Sequence, residues 1–138
     1  MIDKINIRVY AIYLNEKNEL IALDEGYAGE KLIKLPGGGL EFGEGTIECL
    51  HREFAEELNL KIEVLEHFYT QEDFLVSRFR ENEQLLTIYY TVNILNLEDL
   101  NILDDSIENV KWVSLHEENP LPLPIDKIVF QKLKEKLL

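Results

Sequence analysis

Cysteine is nearly absent from this chain. The single residue, Cys49, rules out an intrachain disulfide and agrees with a reducing compartment. No apolar run approaches the roughly 18 residues of a membrane span. The opening MIDKINIRVY has no signal-peptide layout, so a cytoplasmic location is expected. Basic residues are scarce: 14 Lys and Arg stand against 27 Asp and Glu, for a net charge of −13. That balance argues against a broad footprint on a nucleic acid polymer. Such a surface aids solubility, and some of its acids are candidate metal ligands. A polyanionic small substrate would then need a cation to bridge it to the protein. Repeats, low-complexity tracts and linkers are missing too, so residues 1–138 are expected to form a single domain. What is present in quantity is apolar: 46% of residues are hydrophobic. A domain this size buries roughly two-thirds of the surface of its unfolded chain and needs no structural metal.

Periodicity gives the elements. Residues 5–14 read as a strand, with Ile5, Ile7, Val9, Ala11 and Tyr13 on one face and Asn6, Arg8 and Tyr10 on the other. Residues 15–18 read as a hairpin turn into a second strand, 19–23. After a loop rich in glycine and charge comes a third strand, 31–35, which Pro36 and three glycines stop. Residues 40–42 are a candidate for a further brief strand. The spacing of Ile47, Leu50, Phe54 and Leu58 predicts a helix over 46–58, with Thr46 as N-cap and Asn59 as its left-handed stop. Strands near 61–69, 84–94 and 110–114 follow, and a polar loop spans 70–83. The run Leu121-Pro122-Leu123-Pro124 reads as a rigid connector into a last helix. That helix carries Ile125, Ile128, Val129, Leu133 and Leu137 on its apolar face and lysines at its end. This order predicts an α+β fold, a mixed sheet with helices on its faces.

Five glycines fall within residues 37–45, ahead of the first helix. On that helix, at about 100° per residue, Glu53, Glu56 and Glu57 gather within roughly a 100° arc. Like charges three and four apart destabilise a helix by a few tenths of a kcal/mol per pair. A hard divalent cation with oxygen ligands reverses that sign, and glycine leaves backbone groups open to a metal or phosphate. Glutamates on a helix are more often only a solvated face, but that reading leaves the three glycines after Leu35-Pro36 without a purpose.

These residues form one pattern. It runs Gly38, five residues, Glu44, seven residues, Arg52-Glu53-Phe54, one residue, Glu56-Glu57, and ends at Leu60. It resembles the signature of the Nudix hydrolase family, over 23 residues of the chain. Asn59 stands where the family usually has glycine, and Asn can also end a helix there. The resemblance implies an α/β/α sandwich and hydrolysis of a pyrophosphate linkage in a nucleoside diphosphate derivative, with Mg²⁺ or Mn²⁺. It implies metal ligands at Glu53, Glu56 and Glu57 and at the backbone carbonyl of Gly37. Arg52 would orient the glutamates and pair with Glu44. The general base would be Glu53 or a later-loop glutamate, for which Glu108 is the candidate. Nucleoside triphosphates, nucleotide sugars, ADP-ribose and dinucleoside polyphosphates all stay open as substrates. So does a Nudix-fold sensor that binds a nucleotide without turnover, or a metal-stabilised interaction domain. A homodimer through the first strand or the 70–83 loop is a further possibility.

Basic residues stand out in so acidic a chain. Arg8, Lys34, Arg78 and Arg80 are candidates to hold substrate phosphate, and Phe74 or Phe79 to stack on a base. The simpler alternatives are surface ion pairs and core cover. Cys49 lies among anions, which opposes a nucleophilic thiolate. His51, His67 and His116 show no metal-ligand spacing, and Trp112 reads as core.

Overall fold

The computed structural model describes residues 1–27 and 29–138. In chain order the elements are β1 (Lys4–Ile12), β2 (Glu19–Tyr27), β3 (Glu30–Lys34), β4 (Gly37–Gly39), α1 (Thr46–Leu58), β5 (Ile62–Thr70), β6 (Glu83–Ile94), β7 (Ile107–Ser114) and α2 (Pro124–Leu137). Strands β2 and β3 extend into the loop expected between them, and Ala28, in what remains of it, lies outside the described residues. The strands form two sheets. One has the order β4-β1-β6-β5 and the other β3-β2-β7. β1 runs parallel to β6, from Lys4 opposite Glu83 to Ile12 opposite Thr91. The remaining pairs are antiparallel.

Alternation along β1 explains the layering. Val9 and Ala11 pack with Leu50, Phe54 and Leu58 of α1. Tyr10 and Ile12 pack with Val129, Phe130 and Leu133 of α2. The strand is buried on both faces, which is why its sequence is nearly continuously apolar there. The helices therefore cover opposite sides of the sheets, as the sequence suggested.

Several boundaries differ for local reasons. The glycines do not end pairing; Gly37, Gly38 and Gly39 are themselves β4, opposite Tyr10, Val9 and Arg8. Residues 40–42 are not a strand: Leu40 donates one bond to the Ile7 carbonyl at 2.8 Å, and Phe42 is fully exposed. Gly45, not Thr46, caps α1. Its N–H donates to the Glu48 carboxylate at 2.9 Å, which frees the Thr46 hydroxyl to meet the Tyr90 hydroxyl at 2.8 Å. Ile47 has the right angle for the apolar stripe but lies in the first turn, outside the core, and is exposed; Cys49 is buried instead. Asn59 ends the helix as expected, at φ 58°, while Leu60 N–H reaches back to the Phe54 carbonyl at 3.2 Å. In α2, Pro124 occupies the first turn and Leu137 is exposed in the last. No helix among the described residues is long and apolar enough to cross a membrane.

The apolar face of α2 also carries an unexpected acid. Asp126 is 2% exposed and accepts the Tyr89 hydroxyl at 2.5 Å. Burial pushes its carboxyl up from 3.8 to about 6, against the pull of the Tyr89 hydrogen bond. A folded-state value above the unfolded one means stability present at low pH is lost as pH rises through the folded value. The shift corresponds to about 3 kcal/mol. Asp126→Asn should therefore gain stability relative to the parent by about that amount between pH 4 and pH 6.5. Urea unfolding of both proteins across that range checks it; a constant difference would show that Asp126 does not titrate there.

Candidate active site

Helix geometry sorts the three glutamates. At about 100° per residue, Glu57 falls roughly 20° and Glu53 roughly 60° from Leu50, whereas Glu56 is roughly 120° away. Glu57 and Glu53 thus sit on the margin of the buried stripe and are partly buried, while Glu56 faces out. Arg52 gathers the acids around it. Its Nε and Nη2 donate to the two oxygens of Glu44 at 3.0 and 2.7 Å. Its Nη1 reaches Glu53 at 2.8 Å and Glu56 at 3.3 Å, and Nη2 also donates to the Gly39 carbonyl at 2.9 Å. The Arg52 guanidinium, aided by the Glu41 N–H, holds the Glu44 carboxyl down to about 2.

Gly38 makes the room for Glu53. A Cβ on Gly38 would lie 2.5 Å from the Glu53 carboxyl carbon. β4 therefore lies directly against the carboxylate, and only glycine permits the approach. Burial, followed by the Glu53 charge, drives the Glu57 carboxyl well above the usual carboxylate range.

A fourth acid joins them. Asp104 accepts from the Ser106 N–H and hydroxyl at 2.9 and 2.7 Å, and these bonds lower its pKa. The loop that carries it is fastened to the end of α1: Leu103 N–H donates to the Glu57 carbonyl at 2.8 Å and Asn101 N–H to the Leu58 carbonyl at 3.0 Å. Capping the free carbonyls of the helix thus delivers the loop acid to the site. Sequence reasoning chose Glu108 from this segment. That side chain is half exposed and pairs with Lys31 at 3.3 Å. The Asp104-Asp105-Ser106 run was the overlooked signal, since Asp104 caps its own turn through Ser106 N–H at 2.9 Å.

Beside the acids lies a cavity of about 230 Å³. Arg8, Tyr10, Glu25 and Lys34 form one part of its lining, Phe79 and Glu83 another. Arg8 Nε donates to the Tyr10 hydroxyl at 2.6 Å, and Lys34 pairs with Glu25 at 2.8 Å. Arg8 lies opposite Gly39 in the pairing of β1 with β4, and the neighbouring Gly38 lies against the Glu53 carboxylate, so cavity and acid cluster adjoin. Arg78 and Arg80 also line it; Arg78 pairs with Glu30 at 2.9 Å and Arg80 lies 3.8 Å from Glu83. Phe74 does not line it and is exposed, whereas Phe79 does. Cys49 is buried, and burial pushes its thiol up to about 12. His67 meets the Thr70 hydroxyl at 2.7 Å, and Trp112 packs against the α1-side core.

Among the described residues, no three acidic, histidine or cysteine side chains already converge as a metal site. The donor chemistry nonetheless suits a hard divalent cation. Glu53, Glu57 and Asp104 offer carboxylate oxygens at one end of α1, and burial with the Glu53 charge opposes ionisation of Glu57, a cost that a bound cation would relieve.

Comparisons with known proteins bear on the family and the fold. A model of the NUDIX domain matches residues 4–133. The nucleoside triphosphatase NudI of Enterobacter sp. (strain 638) is 29% identical over 93 residues, 64% of this chain and 66% of that protein. A NUDIX hydrolase from Nitrosomonas europaea superposes with a TM-score of 0.79 at 17% identity, covering 96% of this chain and 90% of that one. A MutT protein from Methanosarcina mazei Go1 does so at 0.78 and 20% identity, covering 99% and 97%. The structural likenesses speak for the fold, and the family model, spanning most of the sequence, speaks for descent: the chain belongs to the Nudix hydrolase family.

Proposed function

We propose that this protein hydrolyses the pyrophosphate linkage of a small nucleotide, a nucleoside triphosphate foremost, with Mg²⁺ or Mn²⁺ and in the cytoplasm. The observation that carries this reading is the adjacency of an oxygen-donor cluster to a cavity lined by the partly buried cations Arg8 and Lys34. Glu53 and Glu57, with Glu56 at the outer edge and the Gly37 carbonyl nearby, would hold the cation. Bound there, it would neutralise phosphate charge and acidify water. Arg52 keeps Glu53 in one orientation and Glu44 keeps Arg52 in place. Arg8 and Lys34 supply positive charge for the phosphate nearest the cavity. Glu53, fixed by Arg52 and Gly38, is the candidate base for the proton of the attacking water. Asp104, carried by the loop whose Leu103 N–H donates to the Glu57 carbonyl, is a second candidate beside Glu108 for the loop acid. The preference for a nucleoside triphosphate draws on the relative from Enterobacter, which carries that activity in its name.

The test is a panel of nucleoside triphosphates, nucleotide sugars, ADP-ribose and dinucleoside polyphosphates with Mg²⁺, the products separated by anion exchange. Turnover of the triphosphates above the other groups is expected. Binding of nucleotides without any turnover would mark a sensor and overturn the reading.

A further inference from the structure

We propose that Glu25 binds a sugar hydroxyl of the nucleotide and thereby selects substrates by their sugar; this rests on the function proposed above. The starting point is an unmet polar group. Glu25 is 8% exposed, and while one of its oxygens pairs with Lys34 at 2.8 Å, the other, Oε1, is buried with no hydrogen-bond partner. A buried acceptor left without a donor is costly and calls for an explanation. Its neighbours in the cavity are engaged elsewhere. Arg8 is bonded to Tyr10, Asn6 donates to Glu83 at 3.0 Å, and Arg78 pairs with Glu30. The other such atom among the described residues belongs to Asp126, packed in the α2 core.

The backbone aims Glu25 at this place. The pairing of β2 with β7 shifts register between Asp24 and Glu25. A bulge of this kind re-aims side chains beside functional sites. Asp24 pairs with Lys111 at 3.3 Å, and Glu25 lines the cavity.

Chemistry then narrows the ligand group. A carboxylate paired with an ammonium accepts hydrogen bonds and donates none. Phosphoryl oxygens are anionic acceptors, so they cannot satisfy Oε1. The group must be a neutral donor. A nucleotide with its phosphates at the acid cluster has its sugar next, and its base further in. Gly26, next to Glu25 in the chain, donates its N–H to the Ser106 carbonyl at 2.9 Å, and Ser106 holds Asp104, so Glu25 lines the cavity at the end nearest the acids. Glu25 is therefore at the depth of the sugar, and a ribose or deoxyribose hydroxyl is the donor that reaches it.

The test compares the ribo, 2′-deoxy and 2′,3′-dideoxy forms of one nucleoside triphosphate, with the full chain and with Glu25→Gln and Glu25→Asp. For the parent, removing the hydroxyl that Glu25 holds should cost about 10- to 100-fold in kcat/KM, chiefly through KM. Glu25→Asp, which withdraws the oxygen by one methylene, should compress that ratio to within about threefold, and Glu25→Gln, whose neutral amide oxygen accepts more weakly, should reduce it by a smaller factor, whatever their absolute rates. Glu25→Asp keeps the charge opposite Lys34, so it covers the case in which Glu25→Gln folds poorly. An unchanged ratio in the variants, a parent indifferent to the sugar, or discrimination that follows the base instead would each overturn the inference. Dissociation constants of the same nucleotides by calorimetry give the ratio even where turnover is absent. A failure of the hydrolytic reading thus stays distinct from a failure of this one.

Discussion

Glu57→Gln is expected to lower kcat/KM for the nucleotide by roughly 10³-fold, about 4 kcal/mol of transition-state stabilisation, while the melting temperature holds or rises. Both halves follow from where Glu57 sits. It lies on the margin of the buried stripe of α1, beside Glu53, and its carbonyl holds the loop that carries Asp104. Glutamine keeps the shape and removes the charge. For the fold that is neutral or helpful, since three acids in contact repel one another. For function it replaces an ionisable carboxylate, the stronger ligand for a hard cation, with a neutral amide oxygen. Steady-state kinetics and thermal unfolding on one preparation measure the two halves together. A rate within threefold of the parent would show that this cluster is not where the reaction occurs.

Gly37→Ala is expected to be the most damaging single substitution for stability, by about 4 kcal/mol or more, enough to prevent folding of a marginal domain. Gly37 has φ of +144°, and a Cβ there would lie 2.0 Å from the Val9 carbonyl oxygen and 2.8 Å from the Tyr10 Cα. Both are backbone atoms of β1, a strand buried on both faces, so neither can give way. Gly38→Ala makes an instructive contrast. Its Cβ would meet the Glu53 carboxyl at 2.5 to 2.7 Å, and a side chain can swing aside. The strain then falls on the site rather than on the fold. Activity should drop about 10²-fold through the misplaced carboxylate, with the melting temperature nearly unchanged. Soluble yield and thermal unfolding of the two variants separate these cases. Equal stability losses would mean that the two glycines share one purely structural task.

The contrast also shows what could be seen in the sequence. The alternation of β1, the stripe of α1 and the left-handed stop at Asn59 depend on local spacing, and each was legible. So was the gathering of Glu53, Glu56 and Glu57, because i, i+3 and i+4 neighbours follow from helix geometry alone. Gly37–Gly39 as a strand was not, since glycine has low strand propensity; β1 at Gly37 and the Glu53 carboxylate at Gly38 approach too closely for a side chain. Asp104 and Glu25 were missed for another reason. They reach the site through long-range contacts, one through a loop capping the end of α1 and the other through a bulge in β2, and neither leaves a periodic trace. The buried Asp126 was hidden in an otherwise apolar helix face, where only the Tyr89 hydroxyl, from a strand 37 residues away, explains it.

The most direct test of the central claim is the hydrolysis of a nucleoside triphosphate by chelator-treated protein, followed by ³¹P NMR before and after Mg²⁺ is restored, with Glu57→Gln alongside. The expected result is no turnover in chelator, recovery on addition of Mg²⁺ in the parent with release of phosphate or pyrophosphate, and little recovery in the variant. Turnover that survives the chelator, or a variant that recovers as fully as the parent, would contradict the assignment of the α1 acids as the site of a cation-dependent reaction.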